Sequence, residues 1–175
     1  MKNWNWQKKI FLKSIFFLLL ILNNAKSENF ITGYAKVSDG DTIKISKYKI
    51  RLHGIDAPEM KQICERPYLK IGFFTIHEDY PCGVMAKIKL QEFIEDKSII
   101  ECRVNDNKDF FKRYIGVCYK KKININQWLV EKGYAVAFVK YSNDYIKYEE
   151  IAKENKNGIW SGKFLMPWEW RKKNK

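Results

Sequence analysis

The chain has 175 residues and a formal net charge of +13, with 46% apolar residues. That length suits one domain with a buried core. The apolar fraction excludes a disordered basic tail, and the charge favours a polyanionic partner.

The N-terminus reads as a targeting segment. Lys2, Lys8 and Lys9 form a basic start, Ile10 to Leu22 is mostly apolar, and Ala25-Lys26-Ser27 offers small residues to a signal peptidase. The apolar run is short for a membrane span. The expectation is a signal peptide at 1–27 and a mature domain at 28–175, with an uncleaved membrane anchor as the alternative. Residues 1–27 carry five Lys and no acid, so the mature part keeps 28 basic and 20 acidic residues, a net charge of +8.

Phe30 to Val37 reads as a first strand and Ser38-Asp39-Gly40 as a turn. Thr42 to Ile45 is a second strand. Tyr48 to Ile55 is a third, with Ile50 and Leu52 on one face and Arg51 and His53 on the other. Pro58 cannot continue a ladder, so Glu59 falls on a turn. Residues 60–80 have no clean period and read as a long surface loop. Gly83 to Glu95 has helical spacing. Ile99 to Val104 and Tyr114 to Tyr119 read as strands joined by the polar segment Asn105 to Arg113. Asn126 to Lys132 is a short helix closed by Gly133. Tyr134 to Val139 is extended. Asn143 is a candidate cap for a helix ending near Asn157, stopped by Gly158. Trp160, Trp168 and Trp170 lie in an irregular tail. No repeat or second domain is evident. Five short strands in the order β-β-β-α-β-β, followed by helices, predict an α+β fold: a closed five-stranded OB-like Greek-key barrel with about three α-helices.

Four cysteines behind an export signal point to two disulfides. Cys102 and Cys118 lie on two strands that read as a hairpin, which pairs them and leaves Cys64 with Cys82. Zinc bound by Cys64, His77 and Cys82 is the disfavoured alternative, because the spacings are irregular.

Candidate chemistry gathers in three places. Asp41, in Asp39-Gly40-Asp41-Thr42, and Asp56 converge if the second and third strands are neighbours. Two close carboxylates repel unless a cation lies between them, and hard oxygens suit Ca²⁺ or Mg²⁺. Arg51 and Arg113 could clamp a phosphate through bidentate hydrogen bonds. Glu59 could position or deprotonate a water.

With those residues in place the chain resembles the staphylococcal nuclease (thermonuclease) family. The family's D-G-D-T element stands as Asp39 to Thr42. Its R-x-x-x-[VI]-D-[TA]-P-E element stands as Arg51 to Glu59. Its D-x-x-x-R element stands as Asp109 to Arg113, and a G-I-W-S ending stands as Gly158 to Ser161. The resemblance covers about residues 30–161 and leaves 162–175 as a tail. It implies one Ca²⁺ ion held by Asp41, Asp56 and the backbone carbonyl of Ala57, whose side chain is then immaterial. It implies that Glu59 directs the water, that Arg51 and Arg113 contact the scissile phosphate, and that both DNA and RNA are cleaved. Two departures bear on nucleotide contacts: Lys112 stands where the family has Gly, and Phe111 where it has Tyr. Tyr141 is a candidate for base stacking, with packing the commoner role. His53 and His77 have no family role.

Three functional readings follow. The leading one is an exported (secreted or periplasmic), monomeric, calcium-dependent nuclease with little base specificity, since the contacts named are to phosphate. The others are a non-catalytic OB-type nucleic-acid-binding module and an envelope protein held by an uncleaved N-terminus.

Overall fold

The computed structural model describes residues 29–95 and 98–174. The predicted signal segment 1–27 lies outside the described residues.

The strands are β1 (Asn29–Gly33), β2 (Ala35–Asp39), β3 (Thr42–Ile45), β4 (Tyr48–Leu52), β5 (Ile55–Asp56), β6 (Cys64–Ile71), β7 (Phe74–Tyr80), β8 (Ile100–Lys108), β9 (Tyr114–Lys120), β10 (Ile123–Asn124) and β11 (Val136–Ala137). The helices are α1 (Cys82–Ile94), α2 (Ile125–Glu131), α3 (Ile146–Glu154) and α4 (Pro167–Lys173), with a 3₁₀ turn at Gly158–Ser161.

The main sheet runs β1-β8-β9-β4-β3-β2, with β10 added to β9. Only β4–β9 is parallel in this sheet; its other pairs are antiparallel. Its two ends, β1 and β2, are separated in sequence by Tyr34 alone. One residue cannot span a flat six-strand width, given strands about 4.8 Å apart. The sheet therefore curls until its edges approach. This is the expected α+β, OB-like architecture.

The curl encloses one core. Ile43, Ile45, Ile50, Leu52, Ile100, Cys102 and Val104 alternate inward along their strands and meet Leu90 and Ile94 of α1 and Leu129 and Val130 of α2. Asn124 starts α2 by accepting a hydrogen bond from the Gln127 amide at 3.1 Å. The fully buried Asn126 joins strand to strand. Its Oδ1 accepts from the Cys118 amide, and its Nδ2 donates to the carbonyls of His53 and Gly116.

A smaller cluster lies outside this core. Cys64, Tyr80, Cys82, Val136 and Ile159 are buried there against Met85, Trp160, Phe164, Met166 and Trp168. Disulfides join Cys64 to Cys82 in this cluster and Cys102 to Cys118 across β8 and β9. The two sulfurs a zinc ion would need are therefore bonded to each other.

Several elements differ from the sequence reading. The long loop at 60–80 is instead the hairpin β6–β7. Most of its residues are solvent-exposed on both faces, so no alternation marks it. The first strand divides at Tyr34. The third divides at Gly54, whose φ of +72° turns the chain and sends β5 to pair with β11 instead. Strand β8 continues to Lys108, into the segment read as a joint. Helix α3 starts at Ile146 after Tyr145, without a side-chain cap from Asn143. The tail is ordered into the 3₁₀ turn and α4, which makes four α-helices among the described residues.

Candidate active site

Asp41 and Asp56 reach the same place by different routes. The tight turn between β2 and β3 is held by the Asp41 amide donating to Asp39 Oδ1 at 3.1 Å. Gly40 is required in it, because a Cβ there would lie 2.7 Å from the Ala57 Cβ and 3.0 Å from that of Ala86. The Ala57 methyl packs against this glycine. Asp41 is buried, and its carboxylate accepts from the Ala57 amide at 3.1 Å and from Thr42 Oγ1 at 3.1 Å. Asp56 sits on β5 opposite Val136 and is fully buried.

Both carboxylates converge on one guanidinium. Thr42 and Arg51 are partners across β3 and β4. From there Arg51 Nη1 pairs with Asp41, and its Nη2 with Asp56 Oδ1 at 2.8 Å. Burial raises the Asp41 carboxyl above its usual range, against the pull of Arg51. For Arg51 burial works against the charge, but the two carboxylates outweigh it and its pKa is raised.

Glu59 stands on the following turn. The Gln62 amide donates to the Glu59 carbonyl at 2.7 Å, and Gln62 Oε1 accepts from the Glu59 amide at 3.2 Å. Helix α1 comes so close that a Cβ on Gly83 would fall 1.9 Å from the Glu59 carbonyl oxygen. The Glu59 side chain is about one-third exposed and pairs with Arg171 of α4, Nη1 to Oε1 at 2.8 Å. The same guanidinium holds Asp56 twice, Nη1 to Oδ1 at 3.1 Å and Nη2 to Oδ2 at 2.7 Å. The hydrogen bonds that Arg171 donates to Asp56 first, and then to Glu59, raise its pKa above the ordinary value against the cost of burial.

Arg113 is set by its own turn. Asp109 Oδ1 accepts from the Arg113 amide, and Oδ2 from its Nε and Nη2, each at 2.8 Å. Burial pushes the Asp109 carboxyl up, but the hydrogen bonds from Arg113 win and its pKa is lowered. Lys112 has φ +59°, the left-handed region that favours glycine. The lysine therefore adopts the conformation glycine would take freely. Arg113 Nη1 lies 3.4 Å from Thr42 Oγ1, and its guanidinium stands 5.2 Å from the ring centre of exposed Phe111.

Arg51, Glu59, Arg113 and Arg171 share one open cleft of about 520 Å³, with Phe111, Phe138, Tyr141 and His53 also on its walls. The structure thus brings Asp41, Arg51, Asp56, Ala57, Glu59 and Arg113 together. Tyr141 is exposed and edge-on to Phe138, so it faces the cleft instead of the core. His53 lines the cleft, and its carbonyl accepts from Asn126. His77 lies on β7 opposite Pro67. Sequence reasoning missed Arg171, Gln62 and the clamp that Asp109 places on Arg113. Only the last had a signal, the four-residue step of the D-x-x-x-R element.

Among the described residues no group of three or more His, Cys, Asp or Glu side chains is arranged to hold a metal ion. A cation here would rely on two carboxylates, backbone oxygen and water. The donor set still fits a hard cation. Asp41 and Asp56 are buried anionic oxygens that converge, and each is already matched by positive charge.

Converging buried carboxylates, two arginines and a partly exposed glutamate lie together on the rim of a curled OB-like sheet. The chain belongs to the staphylococcal nuclease homologue family, whose model matches residues 49–162. That stretch contains Arg51, Asp56, Glu59 and Arg113, while Asp41 precedes it and Arg171 follows it. Among curated relatives, the succinoglycan biosynthesis protein ExoI of Rhizobium meliloti (strain 1021) is 32% identical over 146 residues, covering 81% of this chain and 71% of that protein. An uncharacterized endonuclease of Haemophilus influenzae is 29% identical over 176 residues, covering 96% and 88%. The probable staphylococcal-like nuclease CAN2 of Oryza sativa subsp. japonica is 31% identical over 144 residues, covering 80% of this chain and 34% of that protein.

Proposed function

We propose that the chain is an exported nuclease that hydrolyses phosphodiester bonds of DNA and RNA, with little sequence specificity and with one Ca²⁺ ion as cofactor. The observation that carries this reading is the convergence of Asp41 and Asp56 on one point, beside a cleft shared by Arg51, Glu59 and Arg113. Relatives named as nucleases and endonucleases support it.

Asp41, Asp56 and the Ala57 carbonyl would hold the cation, which would neutralise charge on the phosphate. The chain's own residues do the rest. Arg51 and Arg113 bind the non-bridging oxygens, where negative charge grows as the water attacks. Glu59 takes one proton of that water through a carboxylate oxygen as the water oxygen bonds to phosphorus; the phosphorus–ester oxygen bond breaks on the opposite side, and the leaving oxygen takes a proton from solvent. Contacts to phosphate carry no base information, so sequence is read weakly. Phe111 and Tyr141, exposed on the cleft walls, offer rings on which unpaired bases stack.

Export is supported by the pair of disulfides. No helix among the described residues is long and apolar enough to cross a membrane. The working unit is a monomer of residues 28–175, the segment 1–27 having been removed. An N-terminal Glu28 on protein recovered from cells is expected, and an N-terminal Met1 would favour an anchored form.

The test is hydrolysis of denatured DNA and of RNA by the purified protein with Ca²⁺ and with chelator. Cleavage of both that needs Ca²⁺ and collapses in Glu59→Gln is expected. Salt-sensitive binding that leaves the strand uncut in Ca²⁺ would identify a binding module instead.

A further inference from the structure

We propose that Arg171 is a tethered occupant of the cation site: the C-terminal helix places a guanidinium on Asp56 and Glu59, which must leave before a divalent cation binds. The inference rests on the reading of Asp41 and Asp56 as cation ligands. It adds a residue beyond the stretch matched by the family model.

Three observations carry it. The first is the completeness of the contact. Asp56 is fully buried, and both of its oxygens accept from Arg171, with Oδ1 also held by Arg51. A cation within about 2.6 Å of either oxygen would stand against a guanidinium already within hydrogen-bond distance of it. Two like charges that close exclude each other. The same guanidinium also occupies Glu59, so in this state the base is paired with a cation and not with water.

The second observation is the tether. The Glu65 amide donates to the Lys163 carbonyl at 2.8 Å, and the buried Gln62 donates through Nε2 to the Leu165 carbonyl at 2.7 Å. Pro167 is buried at the start of α4, and Trp168 stacks on Phe138 at 5.5 Å between ring centres. Arg171 follows Trp168 by three residues, so both lie on one face of the helix. The ring anchors that face and the guanidinium extends past it to the carboxylates.

The third is that this occupant can leave. The Arg171 side chain is 36% exposed, against 0% for Asp56. Its helix is seven residues long and ends in Arg171, Lys172 and Lys173. Isolated helices this short are marginal in water. A polyanion entering the cleft offers this basic end an alternative partner. Cation and nucleic acid then assist each other, because each removes Arg171 from the other's way.

Competition of this kind lowers apparent affinity by the fraction of molecules in which the site is free. The test is calorimetric titration of Ca²⁺ into the full-length protein and into Arg171→Met, which keeps an apolar stem without the charge. At least tenfold tighter binding is expected in Arg171→Met, with Arg171→Lys close to wild type. Hydrogen exchange on the unmodified protein supplies a second reading, in which Ca²⁺ accelerates exchange of the amides at 167–173. Equal or weaker Ca²⁺ binding in Arg171→Met, or exchange at 167–173 unmoved by saturating Ca²⁺, would overturn the inference and leave the cation site standing. If neither protein bound Ca²⁺, the cation site and this inference would fall together.

Discussion

The curled sheet and the lobe attached to it are built by different means. In the sheet, strands alternate their side chains into a continuous apolar core, and Ile43, Ile50, Leu90, Ile100 and Leu129 are fully buried. In the lobe, hairpin β6–β7 and the tail share a handful of buried residues around the Cys64–Cys82 bridge. The hairpin tip carries Phe73 and Phe74 almost wholly in solvent. The difference maps onto the site. Asp41, Arg51 and Arg113 ride on the sheet and its turns, and Asp56 on the β5–β11 pair beside it. Glu59 and Arg171 stand at the seam, held through Gln62 to the lobe. The ion pairs of Arg51 and Arg113 thus belong to the sheet, and the Glu59–Arg171 pair belongs to the seam.

Breaking the site should have the largest effect. Glu59→Gln is expected to lower kcat on denatured DNA by about 10²–10⁴-fold, with thermal stability nearly unchanged. Stability should separate the two regions next. Leu90→Ala, in the sheet's core, is expected to cost about 2–5 kcal/mol by denaturant titration. Replacing Cys64 and Cys82 by Ala is expected to cost about 3 kcal/mol for the opened loop, and to reduce hydrolysis because the Glu59 turn loosens. If that double variant kept full activity, the lobe would have no part in holding Glu59.

The smallest effect sharpens the sheet side. Asp109 has a lowered pKa in the folded protein, below the ordinary 3.8. Its ion pair therefore adds stability above about pH 4, and that stability is lost as pH falls through the folded value. Asp109→Asn is expected to cost about 0.5 kcal/mol at pH 7. The gap from wild type should close below pH 3.8, as read by urea titration across pH.

Legibility in the sequence followed the same division. Strand β4 over Ile50–Leu52 and strand β8 over Ile100–Val104 bury every second residue, and a period of two is visible without knowing the partner. The elements carrying Asp41, Arg51, Asp56, Glu59 and Arg113 are local runs, so those residues could be named before they met. Hairpin β6–β7 leaves most residues of both faces in water, and an exposed hairpin writes no alternation. The break at Gly54 is a long-range effect, since β5 leaves its strand to pair with β11. Arg171 lies 115 residues from Asp56 on a helix too short to show a period. Nothing local marks it as a partner of the site.

The most direct test of the account is the position of a divalent cation in a crystal of this protein grown with Ca²⁺, located by anomalous scattering. The account predicts a single strong peak within about 2.6 Å of a carboxylate oxygen from each of Asp41 and Asp56, with the Arg171 guanidinium withdrawn from both Asp56 and Glu59. A cation bound elsewhere, with Asp41 and Asp56 still bridged only by arginine, would contradict it.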